Sequence, residues 1–180
     1  MIKKIAILGS TGSIGKNLIN ILKNDKKKFK IVLLSANKNY KLLIKQAKEF
    51  NVKNVIINDY SKFIEVKKKN KKLKINFYNS FSIIDKLFKK KELFYSMISI
   101  IGIDGLNPSL QLIKYSKNIA FVNKESIICG WNLIKKNIIK YKTSFIPIDS
   151  EHFSIWSLLK NHSSDEVQKA IITASGGPFL

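Results

Sequence analysis

The chain has no arginine, one cysteine (Cys129) and three prolines. A lone thiol cannot close an internal disulfide, so burial and hydrogen bonding must hold the fold, as suits a reducing cytoplasm, where we expect it to reside. Acids are scarce too: 12 Asp and Glu stand against 33 lysines, for a net charge of +21. No apolar run is long enough to span a bilayer, because Lys or Asn interrupts each one, so no membrane partner is expected. The opening Met1-Ile2-Lys3-Lys4-Ile5-Ala6-Ile7-Leu8 is too short for a secretory core and lacks the Ser/Arg-rich character of a transit segment. The missing arginine also bears on the charge. Nucleic-acid interfaces favour the planar guanidinium for bidentate contacts. An all-lysine surface beside abundant Ile and Asn reads instead as a solvated face set by A/T-rich codons, and nucleic acid is not an expected partner.

What is present is a 45% apolar chain of 180 residues, ample for a packed core. Short apolar runs at 2–8, 29–36, 54–57, 74–78, 95–100, 118–122, 144–148 and 169–174 predict strands. Helical periods fall between them, at 14–24, 40–50, 61–69, 80–88, 106–115, 124–141 and 151–159. Alternation of this kind predicts an α/β fold: a Rossmann-like, doubly wound, mostly parallel sheet. The pattern changes around Pro147, so we place one domain at 1–148. Residues 149–180 are expected to begin a catalytic α+β domain, since about thirty residues cannot close a second core.

The strongest local signal is Gly9-Ser10-Thr11-Gly12-Ser13-Ile14-Gly15, lying between the first apolar strand and an amphipathic helix. Gly9 permits a tight turn, Gly12 close approach of a pyrophosphate, and Gly15 close packing of helix on strand. The helix N-terminus adds N–H donors and a positive dipole end, and Thr11 and Ser13 add hydroxyls. NAD-specific sites place an acid near the end of the second strand. Here that stretch is Leu33-Leu34-Ser35-Ala36-Asn37-Lys38-Asn39, with no carboxylate. A 2′-phosphate would meet Ser35, Asn37 and Lys38, so NADP(H) is favoured.

Asn123-Lys124-Glu125-Ser126 and Asp149-Ser150-Glu151 each follow an apolar strand and open a helix. Asp149 and Glu151 can converge on one hard divalent cation. Taken alone, a helix N-cap at Asp149 or Ser150 with Glu151 as a first-turn acid is the first reading of them. Ser175-Gly176-Gly177 suits an anion-binding nest or a plain turn. Other chemistries fit poorly. None of the six tyrosines has a lysine four residues on, as short-chain reductases require. Cys129 lies between Ile128 and Gly130 on a predicted helix and reads as core rather than as the nucleophile of a semialdehyde dehydrogenase. Another NADP-dependent reductase and a non-catalytic basic nucleic-acid module remain the alternatives.

Taken together, the glycine run, Asn123-Lys124-Glu125-Ser126, Pro147-Ile148-Asp149-Ser150-Glu151-His152 and Ser175-Gly176-Gly177-Pro178-Phe179 resemble, in order and spacing, the 1-deoxy-D-xylulose 5-phosphate reductoisomerase family. The resemblance implies NADPH- and metal-dependent conversion of a phosphorylated ketose to 2-C-methyl-D-erythritol 4-phosphate, in isoprenoid biosynthesis. It assigns Thr11, Gly12, Ser13 and Ile14 to the cofactor phosphates and Asn37, Lys38 and Asn39 to the 2′-phosphate. Gly102, Asn123 and Glu125 would lie along NADPH. Lys124, Ser150, Glu151 and Ser175 would meet substrate, Lys124 and Glu151 as catalytic residues. Asp149 and Glu151 would ligate Mg²⁺ or Mn²⁺, with His152 as a structural neighbour. The family pattern adds a third metal carboxylate, a Trp-bearing lid and a C-terminal helical domain, with homodimers as the full-length form. From 1–180 alone we therefore expect NADPH binding without turnover.

Overall fold

The structure, a computed structural model, describes residues 2–171. Its strands are β1 (Lys3–Leu8), β2 (Phe29–Ala36), β3 (Asn54–Ile57), β4 (Asn76–Tyr78), β5 (Leu93–Ile98), β6 (Ser116–Phe121) and β7 (Ser144–Pro147). They form one parallel sheet in the order β4-β3-β2-β1-β5-β6-β7. The crossovers carry α1 (Ser13–Lys23), α2 (Tyr40–Glu49), α3 (Tyr60–Lys69), α4 (Ile84–Leu87), α5 (Leu106–Ile113) and α6 (Lys124–Tyr141), and α7 (Ser150–Leu159) follows β7. None of the described helices is long and apolar enough to cross a membrane.

Alternation along β1 explains the layering. Ile5 and Ile7 pack with Ile19 and Leu22 of α1, Leu43 and Ala47 of α2, and Val66 of α3. Ala6 and Leu8 face the other way, toward Ile84 of α4, Leu112 of α5 and Ile134 of α6. Successive side chains of a strand point to opposite faces, so an unbroken apolar run requires helices on both. The expected doubly wound α/β fold is what forms. The order reverses between β1 and β5, and ligands of such sheets bind outside the carboxyl ends at that point.

Several elements differ from the sequence pattern for identifiable reasons. β5 and β6 start two residues before the apolar periodicity suggests and end early. Past Ile98 a side chain takes over two backbone carbonyls: Asn123 Nδ2 donates to those of Ile100 and Gly102, at 2.5 and 2.7 Å. The helix predicted at 80–88 is a 3-10 turn, Phe81–Ile83, capped by Ser80, followed by the short α4. Cys129 is exposed, not core. The buried positions of α6 are Ser126, Gly130 and Ile134, and residue 129 falls off that four-residue stripe. Lys169, Ala170 and Ile171 are not in a strand, and the rest of the strand expected at 169–174 lies outside the described residues.

Leu34 of β2 is fully buried in the layer beneath α1 and α2. Leu34→Ala is expected to cost about 2–5 kcal/mol in urea unfolding, with little change in slope. A second prediction concerns Glu65, which ties α2 to α3. Its carboxylate accepts from Lys69 at 2.7 Å, Tyr40 at 2.7 Å and Lys62 at 3.0 Å, and these bonds lower its pKa from 4.5 to about 2. The unfolded chain thus binds the proton more readily, and the stabilisation is lost as pH falls from 4.5 toward about 2. Glu65→Gln is expected to lower stability at neutral pH and to flatten its decline in that window, read as urea midpoints across pH.

Candidate active site

The chain leaves β1 through Gly9, whose φ of +80° lies in the left-handed region. A Cβ there would also collide with the Ser99 carbonyl. The Gly9 N–H donates to Ser35 Oγ at 3.0 Å, and the Gly12 N–H returns to the Gly9 carbonyl at 3.1 Å. Gly15 is buried, and a Cβ on it would strike Gly9 O and the Ser10 backbone. Gly12 is the N-cap of α1 without a side-chain cap, and the first turn holds no acid. The positive end of α1 therefore faces the loop unneutralised, as an anion site requires. Thr11 and Gly12 line a groove of about 560 Å³, while Ser13 and half-buried Ile14 begin the helix beside them.

The far end of this groove is formed where β2 stops. Ala36 and Asn37 line it; Asn37, Lys38 and Asn39 are exposed. No carboxylate occupies that turn. Asn39 caps α2, accepting from the Leu42 N–H at 3.3 Å. Asn37 O accepts from the Asp59 N–H at 3.3 Å, which fixes the rim to the start of α3. Asp59 is the nearby acid, held below the usual carboxylate range by the Ser61 hydroxyl and the Lys62 N–H, with Lys38 and Lys62 adding to the effect. Ser35 has a second role beyond the one its position suggests. It lines the groove but is buried, with Oγ accepting from Gly9 and its carbonyl taking the Ser10 N–H, so it also braces the loop. Asn58 and Phe81 also line the groove. No motif marks them; they arrive from the end of β3 and the 3-10 turn.

Next along the same sheet edge is a hollow of about 300 Å³, lined by Ser99, Ile100, Ile101, Val122, Asn123, Lys124 and Glu125. Gly102, at φ +72°, turns the loop here, and a Cβ on it would meet open space. Lys124 and Glu125 are exposed, whereas Asn123 is buried. Its Oδ1 caps α6 through the Ser126 N–H at 2.7 Å, and its Nδ2 holds Ile100 O and Gly102 O. The side chain expected along NADPH is thus committed to shaping the loop beside the groove.

Lys124 also borders a third, largely apolar hollow of about 490 Å³ with Trp131, Phe145, Pro147, Asp149 and His152. Lys124 Nζ lies 3.7 Å from Glu151 Oε2. Asp149 caps α7, accepting from the His152 N–H at 3.1 Å and approaching its ring Nδ1 at 2.6 Å. Burial works to raise this carboxyl, but the two His152 contacts outweigh it and hold the group below its usual range. His152 is an orienting neighbour of Asp149. The two acids offer hard oxygens that suit Mg²⁺ or Mn²⁺, yet among the described residues no cluster of three metal-binding side chains forms. Water and substrate oxygens would have to fill an octahedron. Ser150 is the first residue of α7, and Ser175 lies outside the described residues.

The family profile for 1-deoxy-D-xylulose 5-phosphate reductoisomerase matches residues 5–130, and that for the same enzyme's C-terminal domain matches 145–180. The enzyme of that name from Pelagibacter ubique (strain HTCC1062) is 59% identical over 178 residues, covering 98% of this chain and 46% of its own. Among solved structures, 1-deoxy-D-xylulose 5-phosphate reductoisomerase from Zymomonas mobilis in complex with NADPH is 31% identical. It superposes with a TM-score of 0.90, covering 99% of this chain and 47% of its own. A DOX-P reductoisomerase in complex with NADPH, fosmidomycin and magnesium is 25% identical with a TM-score of 0.78, covering 87% and 38%. The chain spans about half the length of the curated relatives it matches. A profile match over most of the chain, on a fold whose loops carry the glycine run and the two acid-bearing helix starts, places this chain in the 1-deoxy-D-xylulose 5-phosphate reductoisomerase family.

Proposed function

We propose that the chain supplies the NADPH-binding part and the metal- and substrate-facing edge of a reductoisomerase converting 1-deoxy-D-xylulose 5-phosphate to 2-C-methyl-D-erythritol 4-phosphate. One observation carries the reading: the three hollows adjoin along a single sheet edge. Ser99, Ile100 and Ile101 are shared by the first two, and Lys124 by the second and third. A cofactor in the groove would therefore reach toward the hollow that Asp149 borders.

In this reading Thr11, Gly12, Ser13 and Ile14 receive the pyrophosphate, using the open end of α1. Asn37, Lys38 and Asn39 surround the 2′-phosphate. Gly102, Asn123 and Glu125 flank the cofactor where it passes the second hollow, Asn123 also fixing the wall there. Lys124 and Ser150 meet substrate, with the lysine charge set against Glu151. Ser175 belongs to the substrate phosphate. Asp149 and Glu151 would hold the divalent cation, which, when bound, would draw substrate oxygens together and stabilise negative charge developing on them. Residues 1–148 and 149–180 serve as two functional units, and a homodimer, implied by the family, belongs to the same reading.

The test is titration of the chain with NADPH and with NADH at low and high salt. Saturable binding with NADPH preferred is expected. Lys38→Ala should weaken NADPH roughly tenfold and leave NADH unchanged, since a charge-assisted contact contributes about 1.5 kcal/mol. Equal affinity of the wild-type chain for both cofactors would sink the 2′-phosphate assignment. DNA binding that falls steeply with salt, without cofactor binding, would favour the basic module instead.

A further inference from the structure

Gln46 is a long polar side chain at a core position. It is only 3% exposed, on the face of α2 that buries Leu43 and Ala47. A methionine or leucine would fill that space without the cost of desolvating an amide. The amide engages one residue of the glycine loop through both of its polar atoms: Oε1 accepts from Ser10 Oγ at 2.7 Å, and Nε2 donates to the Ser10 carbonyl at 2.9 Å. The remaining backbone donor of Ser10, its N–H, goes to Ser35 O at 2.9 Å.

The carbonyl bond has a consequence one residue further on. Ser10 C=O and Thr11 N–H belong to the same planar trans peptide and point in opposite directions. By drawing the carbonyl inward, Gln46 directs the Thr11 N–H away from the core, on the side where Thr11 and Gly12 line the groove. We propose that Gln46 is a positioning residue for the pyrophosphate loop, setting the orientation of the Thr11 N–H from beneath. The inference rests on the cofactor reading above and adds a residue that the glycine motif does not contain. Because Gln46 contacts Ser10 and not the rim at residues 37–39, its effect falls on the pyrophosphate that NADPH and NADH share. It differs in this from Lys38, whose effect falls on one cofactor alone.

The variants are Gln46→Met, which fills the volume without either bond, and Gln46→Glu, whose carboxylate can accept from Ser10 Oγ but cannot donate to Ser10 O. At a temperature where wild type and variants are folded by circular dichroism, Kd for NADPH and for NADH is measured by calorimetry. Loss of the carbonyl bond is expected to raise both constants roughly tenfold, leaving their ratio unchanged, in Q46M and Q46E alike. A purely structural residue would lower the melting temperature and leave both constants where they were, and that result would overturn the inference. A changed NADPH-to-NADH ratio would overturn it as well. A second measurement needs no variant: the Thr11 amide resonance of the ¹⁵N-labelled wild-type chain should shift on adding NADPH. If the chain binds NADPH and that resonance stays still, the inference fails even should both variants not fold. If the wild-type chain binds no NADPH, the cofactor reading itself fails.

Discussion

Three stretches of backbone meet where β1 ends, and none leaves room for a side chain. Gly15 at the start of α1 rests on the carbonyl of Gly9, and Gly9 in turn rests on Ser99, just past the end of β5. Everything else at the sheet edge follows from this contact. It brings the end of α1 against the strand, sets the groove between the loops after β1 and β5, and leaves the helix dipole exposed to whatever lies in that groove. Two missing Cβ atoms thus position a site whose other parts come from loops spread along the chain, from Ala36 to Pro108.

How much of this could be read from the residues depended on whether the cause was local. Strand alternation, the glycine run and the helix starts at Asn123 and Asp149 were legible because period, turn and cap chemistry act over a few residues. The bounds of β2, β3 and α6 agree with the periodicity for the same reason. What escaped was set by partners distant in sequence. Ser35 lines the groove, and that its hydroxyl also holds the Gly9 N–H has no local signal. Asn123 lines the second hollow, and that its amide also holds two loop carbonyls follows from the fold and not from its neighbours in sequence. Cys129 looked like core because its neighbours are apolar, and only the registry of α6 on the sheet shows which stripe is buried. Gln46 gave no sign at all, being one polar residue in a helix rich in lysine.

The charge, so prominent in composition, is locally well used. Lys23 and Lys26 both lie within 4.0 Å of Glu49, and Lys62 and Lys69 share Glu65. With few acids available, these two carboxylates each serve two cations. Lys124 extends this arrangement to the proposed site: its partner Glu151 is one of the two acids proposed to take a divalent ion, so a bound ion and the lysine would draw on the same carboxylate.

Ser99 also bears on speed. Its hydroxyl sits 2.8 Å from Leu8 O and 3.0 Å from Gly9 O, and with Ser35 and Gln46 it holds the loop from three sides. A loop braced in this way has already given up its conformational freedom during folding. An incoming dinucleotide would then meet a finished surface and pay little further entropy at that end. Any slow rearrangement accompanying capture should arise elsewhere along the edge, where exposed Ile101 and Ile103 rise beside the groove.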